Sequence, residues 1–328
     1  MLDLESDPYA NDPGHWGASL AVLADLVVAC LDAAGARSVV EVGAYAGDLT
    51  RVLADRAAAG DGRVWAIDPA PRQSLVELAE RHAQLELVRS TSFEALPRLP
   101  LADAAIIDGD HNYYTVSEEL RLVTASAEGG TLPLLLLHDV CWPHARRDSY
   151  FDPTALPEEH RRPMGEGVGL YPGERGVKPG ALPFRWAASE EGGERNGVLT
   201  AVEDFLADRA ELRLAIVPAF FGLGVVWDTR LPWSDALEEL LAPWDRNELL
   251  ERLEANRVLH LSSAHVQWTQ AIAAQTRLAR QEGVLRRLLQ SSAFSVAERL
   301  SRLRYRAGIA TGQPIVSKDE VRRALADD

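Results

Sequence analysis

The sequence predicts an α/β chain: a doubly wound, mostly parallel seven-stranded sheet with a C-terminal helical extension. Three observations carry this. Short, almost wholly apolar runs alternate with helical segments: SVVEVG (38–43), RVWAID (63–68), LELV (85–88), ADAAIID (102–108) and LPLLLLHD (132–139). Two more strand-like runs, 211–218 and 222–228, are separated only by Ala219, Phe220 and Phe221. From residue 233 the alternation ends and helical text takes over. A strand covered by helices on both faces reads as a continuous apolar run, so the first pattern indicates a parallel sheet.

The remaining elements follow in order. Residues 17–35 read as an apolar helix closed by Gly35, and further helices are expected at 47–58, 73–84, 114–127 (closed by Gly129 and Gly130) and 196–210. Gly60 and Gly62 mark a turn before the second strand. The short connection 219–221 predicts an antiparallel hairpin at the sheet edge, because parallel neighbours need a long crossover. Residues 141–195 are rich in Pro, Gly, Arg and acidic residues and hold no sustained period. Within a domain spanning 1–232 they read as an inserted lid whose aromatic and arginine side chains shape a substrate site.

In the extension, 233–328, Leu249, Leu253, Leu259, Trp268, Ile272, Leu278, Leu285, Leu289 and Leu300 recur at helical spacing without a clean heptad, and Gly283 is expected to interrupt the helix. These apolar positions pack either on their own domain or on a second copy, as a homo-oligomer joined through the C-terminal helices. Residues 312–328 read as a loop and a short helix.

Composition narrows the classes. A chain of 328 residues, 47% hydrophobic and 25% charged, suits one domain of about 200–250 residues plus an appendage. The net charge of −15 argues against a general nucleic-acid binder, which needs a cationic face to displace counterions. Two cysteines, Cys30 and Cys141, make no disulfide framework and fit a reducing cytoplasm. The acidic, polar first residues lack the pattern of a secretory signal, and the longest apolar runs, near 20–34 and 132–137, are too short or too interrupted for a bilayer.

Parallel sheets bind ligands beyond the carboxyl ends of their strands. The residues there are chemically loaded: Glu41-Val42-Gly43-Ala44-Tyr45-Ala46-Gly47 after the first strand, Asp68 after the second, Ser92-Phe93 after the third, Asp108-Gly109-Asp110-His111 after the fourth and His138-Asp139 after the fifth. Glycines at a strand end let backbone approach a ligand, and the next helix offers unpaired N–H groups. A dinucleotide fingerprint needs G-x-G-x-x-G, whereas Ala44 and Tyr45 stand where the second glycine would lie. Asp68 lies 25 residues beyond Gly43, one β-α-β unit away, where a carboxylate can accept from both hydroxyls of a ribose. Polar groups at the fourth and fifth strand ends should converge on one edge of the sheet.

Together these motifs resemble the class I S-adenosylmethionine (SAM)-dependent methyltransferases, in a subgroup with D-G-D-H and H-D motifs related to metal-dependent small-molecule and sugar O-methyltransferases. The resemblance covers 36–140 well and 196–228 loosely. It implies a Rossmann-like methyltransferase fold with SAM held by Glu41, Gly43, Tyr45, Gly47, Asp68, Ser92, Phe93 and Asp108, although Phe93 serves equally well as core. It further implies catalysis by His111, Asp108 and Asp139, with His111 as general base, and a site for Mg²⁺ or another divalent metal at Asp108, His138 and Asp139. His138 departs from the pattern, since a carboxylate stands there in the catechol type and magnesium prefers oxygen. The implied activity is methyl transfer to a small molecule, most simply to a hydroxyl of a sugar or secondary metabolite. Three other readings compete: a nicotinamide oxidoreductase, disfavoured by the missing glycine and by the lack of a Tyr-x-x-x-Lys; a methyltransferase-fold enzyme running a different reaction; and a non-catalytic adaptor working through its helices.

Overall fold

The computed structural model of the chain describes residues 19–125, 127, 132–309 and 315–324. Residues 1–18, with the start of the expected first helix, and the expected helix-closing Gly129 and Gly130 lie outside the described residues. The chain divides into two compact units, Met1–His265 and Val266–Asp328.

In the first unit a short 3-10 turn leads into α1 (Ala24–Ala33), β1 (Ser38–Val42), α2 (Asp48–Ala59), β2 (Arg63–Ile67), α3 (Gln73–Arg81), β3 (Leu85–Val88), α4 (Ser92–Ala95), β4 (Ala104–Ile107), α5 (Tyr113–Ala125) and β5 (Leu134–His138). The inserted segment holds β6 (Met164–Leu170) and β7 (Leu182–Ala188), followed by α6 (Val198–Leu206), β8 (Leu212–Val217), β9 (Leu223–Asp228) and α7 (Ser234–Leu241). α8 (Glu248–Gln290) begins in this unit and ends in the second, which also holds α9 (Ser292–Arg306) and α10 (Lys318–Ala324).

The main sheet has seven strands in the order β3-β2-β1-β4-β5-β9-β8. β1 to β5 pair in parallel, while β9 runs antiparallel to β5 and to β8. This is the doubly wound architecture expected from the sequence, with the 212–228 hairpin at the predicted edge. Alternate residues of each strand enter different cores. Val39, Ala104, Ile106, Leu134 and Leu136 face α1, α2, α3 and α7, whereas Val40, Ala105, Ile107, Leu135 and Leu137 face α5 and α6. Both faces are buried, which is why the strands read as unbroken apolar text. Strand order reverses between β1 and β4, and the crevice at such a reversal is where α/β sheets bind ligands.

The insertion carries more regular structure than its composition predicts. β6 and β7 form a separate antiparallel pair, and Ser149 bridges to Ala187. The expected reading of its arginines as substrate-shaping side chains does not hold for Arg147, and others are engaged within the chain. Arg147 is 1% exposed and donates to the carbonyls of Ala188 and Arg175, both at 2.6 Å. Arg146 forks onto Glu203 of α6, and Arg161 donates to the Leu156 carbonyl. An arginine has five donors, and here they satisfy carbonyls of a segment too short of ladder bonds to do so itself.

Gly283 does not interrupt α8, which runs through it to Gln290. A lone glycine costs about 1 kcal/mol relative to alanine, too little to end a helix supported on both sides. No helix among the described residues is long and apolar enough to cross a membrane.

Candidate active site

The β1–α2 turn and the end of β4 are in intimate contact. Gly43 has φ +87°, and a Cβ there would lie 2.0 Å from the Asp108 carbonyl oxygen and 2.7 Å from Gly109 Cα. Only glycine permits this approach, so the first residue of the Gly43–Gly47 loop fixes the distance between the two strand tips at the reversal point. Tyr45 also takes a left-handed conformation, φ +41°, with its ring exposed and its hydroxyl accepting from Arg72 Nε at 2.9 Å.

Asp68, at the end of β2, is buried. Its Oδ2 accepts from Tyr45 N at 2.8 Å and its Oδ1 from Ala70 N at 2.7 Å. Each oxygen retains a second lone pair, so the carboxylate is both anchored and able to accept from two hydroxyls. Glu41 points, with Val39, into the α2 side of the sheet. It is 4% exposed, and its Oε2 has no hydrogen-bond partner. Burial pushes its carboxyl up to about 8, helped by the charges of Asp108 and Asp68.

Ser92 opens α4 and lies beside Glu119 of α5. Phe93 meets the ring of Tyr114 edge-on, centroids 6.0 Å apart, and His160 of the insertion stacks on Tyr114 at 4.1 Å.

At the tips of β4 and β5 the polar residues converge. Asp108, His111 and Asp139 each offer a ligand atom, and these atoms lie within 4.8 Å of one another. His111 Nδ1 is 3.1 Å from Asp139 Oδ2. His138 is turned differently: Nδ1 meets Asp108 Oδ1 at 3.0 Å and Nε2 meets the Phe220 carbonyl at 2.9 Å. Both its ring nitrogens are engaged, so His138 of the expected set Asp108, His138 and Asp139 has no nitrogen to spare, and the side chains that could hold an ion together are Asp108, His111 and Asp139. Both partners of His138 only accept, so both nitrogens donate. Burial opposes charge on His138, but Asp139 and Asp108 outweigh it and raise it to about 10. Asp139 is correspondingly held below the usual carboxylate range: burial works against its charge, and His138 and His111 overcome that.

Three further groups here were not among the expected site residues. Asp110 accepts from Phe151 N at 3.0 Å and from His111 N at 3.1 Å, and burial raises it to about 6. It ties the insertion to the D-G-D-H loop, as does the bond from Ser149 N to the His111 carbonyl, 2.9 Å. His144, also from the insertion, stacks on His111 with centroids 4.7 Å apart, and burial lowers it to about 3. Its neutral ring covers one face of His111. Glu119 is fully buried and raised by that burial to about 8. It breaks the apolar face of Val116, Leu120 and Val123, the one signal that sequence offered.

The geometry joins a glycine turn, a ribose-competent carboxylate and a carboxylate–imidazole cluster along one sheet edge. Residues 40–140 match a methyltransferase domain family. The match ends at Val140, just past the β5 tip, and spans every strand tip described above. No curated protein matches the chain. Solved structures with a similar course include an S-adenosylhomocysteine (SAH)-bound methyltransferase of Podospora anserina, 12% identical, with 70% of this chain and 88% of that one covered at a TM-score of 0.45. Another is a SAM-bound O-methyltransferase of Streptomyces achromogenes involved in tomaymycin synthesis, 14% identical, with 70% of this chain and 100% of that one covered at a TM-score of 0.40.

The residues present fit SAM. The Gly43 turn packs against the β4 tip at the reversal point, and Asp68 keeps a free lone pair on each oxygen there. They fit magnesium poorly, because the clustered donors include an imidazole, whereas a softer divalent ion accepts one nitrogen and two carboxylates.

Proposed function

We propose that the chain is a SAM-dependent methyltransferase acting on a hydroxyl of a small molecule. The observation that carries this reading is the convergence of Asp108, His111 and Asp139 on the same sheet edge as the Gly43 turn and Asp68. Asp68 accepts from the ribose hydroxyls, the Gly43–Gly47 backbone passes close to the ligand, and Phe93 with Tyr114 offers apolar surface to the adenine. SAM supplies a methyl group on a sulfonium, which any oriented nucleophile can displace with the leaving electron pair going to sulfur.

The chain's own contribution is alignment and removal of one proton. Asp139 can only accept, so His111 holds its proton on Nδ1 and presents Nε2 as the base. Proton uptake at Nε2 makes an imidazolium that Asp139, ionised, stabilises. His144 stacked on one side and the insertion bonded through Asp110 keep that ring in place and limit water. A sugar or other secondary metabolite is the acceptor we favour, since net acidity disfavours nucleic acid and the insertion is bonded to the D-G-D-H loop beside the site.

A second reading has Asp108, His111 and Asp139 holding a divalent ion that favours the acceptor's oxyanion as a Lewis acid. His111 is then a ligand and not the base, so the two readings exclude each other. We also propose that the C-terminal helices join two copies of the chain. Leu278, Leu300 and Leu303 are more than half exposed, and a soluble surface of that kind favours a twofold partner. Calorimetry with SAH against NAD tests the cofactor, and rates with and without chelator separate the two readings of His111.

A further inference from the structure

The turn between β8 and β9 is strained and lies directly over the β5 tip. Phe220, Phe221 and Gly222 take consecutive left-handed conformations, φ +51°, +67° and +93°. Bulky side chains rarely adopt such φ values, and they persist only where the surroundings over-determine them. The third residue has no alternative: a Cβ at Gly222 would lie 2.5 Å from Cys141 Sγ. The turn's outcome is the orientation of the Phe220 carbonyl, which meets His138 Nε2 at 2.9 Å, while the other nitrogen of His138 holds Asp108 at 3.0 Å.

Two groups fix the turn. Cys141 N donates to the Phe221 carbonyl at 2.7 Å, from the β5 side. From the opposite side, Phe221 N donates to Glu254 Oε1 at 2.8 Å. Glu254 stands on α8 and is itself buried. Its carboxylate is gripped by Arg257 one turn on, through Nε and Nη2 at 2.7 Å each. The same guanidinium lies over both phenyl rings, 5.3 Å from the Phe220 centroid and 4.5 Å from that of Phe221. One ion pair thus binds the turn's backbone and caps its side chains.

We propose that Glu254 is a positioning residue of the active site, acting through the Phe220–Phe221–Gly222 turn to hold His138 and, through it, Asp108. This rests on the reading of the Asp108 corner as catalytic. Loss of the Glu254 carboxylate releases Phe221 N, the left-handed pair relaxes, and the Phe220 carbonyl swings from His138. The His138 ring then loses one of its two anchors, and Asp108 loses its fixed partner. Nothing in the sequence near the D-G-D-H or H-D motifs points to a glutamate on the C-terminal helix.

The test reads His138 directly in the full chain, at one fixed pH, from the side-chain ¹⁵N signals of histidine-labelled protein, assigned by loss of signal in His138→Asn. Glu254→Ala should displace the His138 Nε2 resonance by more than its linewidth. Glu254→Gln, which retains an acceptor for Phe221 N, should restore it. Asp245→Ala serves as the structural comparison, since it removes a similar bond, from Ile216 N at 2.7 Å, that holds β8 itself and not the turn. It should lower the melting temperature and leave His138 unmoved. Should Glu254→Ala fail to fold, Glu254→Asp keeps the ion pair on a shorter arm and is expected to displace the same resonance. An unmoved His138 signal in a folded Glu254→Ala or Glu254→Asp chain overturns the proposal. SAH calorimetry on the wild type runs alongside: absence of binding there defeats the methyltransferase reading and leaves the His138 result standing on its own.

Discussion

Nδ1 of His111 lies 3.1 Å from Oδ2 of Asp139, and Asp139 itself takes φ +62°, a left-handed conformation that aspartate tolerates better than most side chains. The backbone at the β5 tip is bent so that a buried carboxylate faces an imidazole delivered from the β4 tip. If that pair is the base and its orienting group, His111→Ala should lower kcat by ~10²–10⁴ while SAH affinity is unchanged. Rates with a competent acceptor, alongside calorimetry, check this. A variant that keeps full kcat removes His111 from the reaction.

The donor set at Asp108, His111 and Asp139 makes a second prediction. With His111 as base, exhaustive chelation leaves the rate unaltered, and added Zn²⁺ inhibits by occupying the imidazole and both carboxylates. Initial rates in chelator, in Zn²⁺ and in Mg²⁺ decide the matter. Activity that vanishes in chelator and returns with Mg²⁺ would put an ion where His111 is assigned as base.

Glu41 predicts a pH effect on stability. Its folded carboxyl is raised by burial to about 8, against an ordinary value of 4.5. The folded state therefore binds more protons between those values. The stabilisation is fully present below pH 4.5 and is lost as pH rises through about 8. Glu119 shifts in the same direction. Glu41→Gln keeps the shape and removes the charge, so its advantage over the wild type should grow across this window to about 2–4 kcal/mol. Melting temperatures of both proteins at several pH values test it, and a constant offset would show that Glu41 does not titrate in this way.

The tail makes a prediction about assembly. Leu300 and Leu303 lie on α9, 55% and 62% exposed. Light scattering at micromolar concentration should give a dimer for the full chain. The pair of substitutions Leu300→Arg and Leu303→Arg should shift it toward monomer. A wild-type monomer under these conditions rules out the interface.

The parts of the fold that were legible are those where burial writes itself into sequence. β1 to β5 read as apolar runs because helices cover both faces, and their polar tips stood out for the same reason: Asp68, Asp108, His138 and Asp139 each follow such a run directly. β6 and β7 were not legible. Gly165, Gly167 and Gly169 in one strand and Pro183 in the other mask any alternation, and the pair is held partly by Arg147 reaching across from outside it. The site shows the same division. Residues on the strand tips could be found from position alone, but the role of His138 could not, because its second partner is a backbone carbonyl 82 residues away. Glu254 is further still, and its Glu-x-x-Arg spacing is that of any exposed helical ion pair.

The account stands most directly on the cofactor, and one calorimetric series tests it: the full chain titrated with SAH and with NAD, then Asp68→Ala titrated with SAH. The predicted result is saturable SAH binding, no NAD binding, and a loss of ~1.5–3 kcal/mol in the variant, the usual effect of removing hydrogen bonds to a charged group. NAD binding in place of SAH, or equal SAH affinity with and without the Asp68 carboxylate, would contradict it.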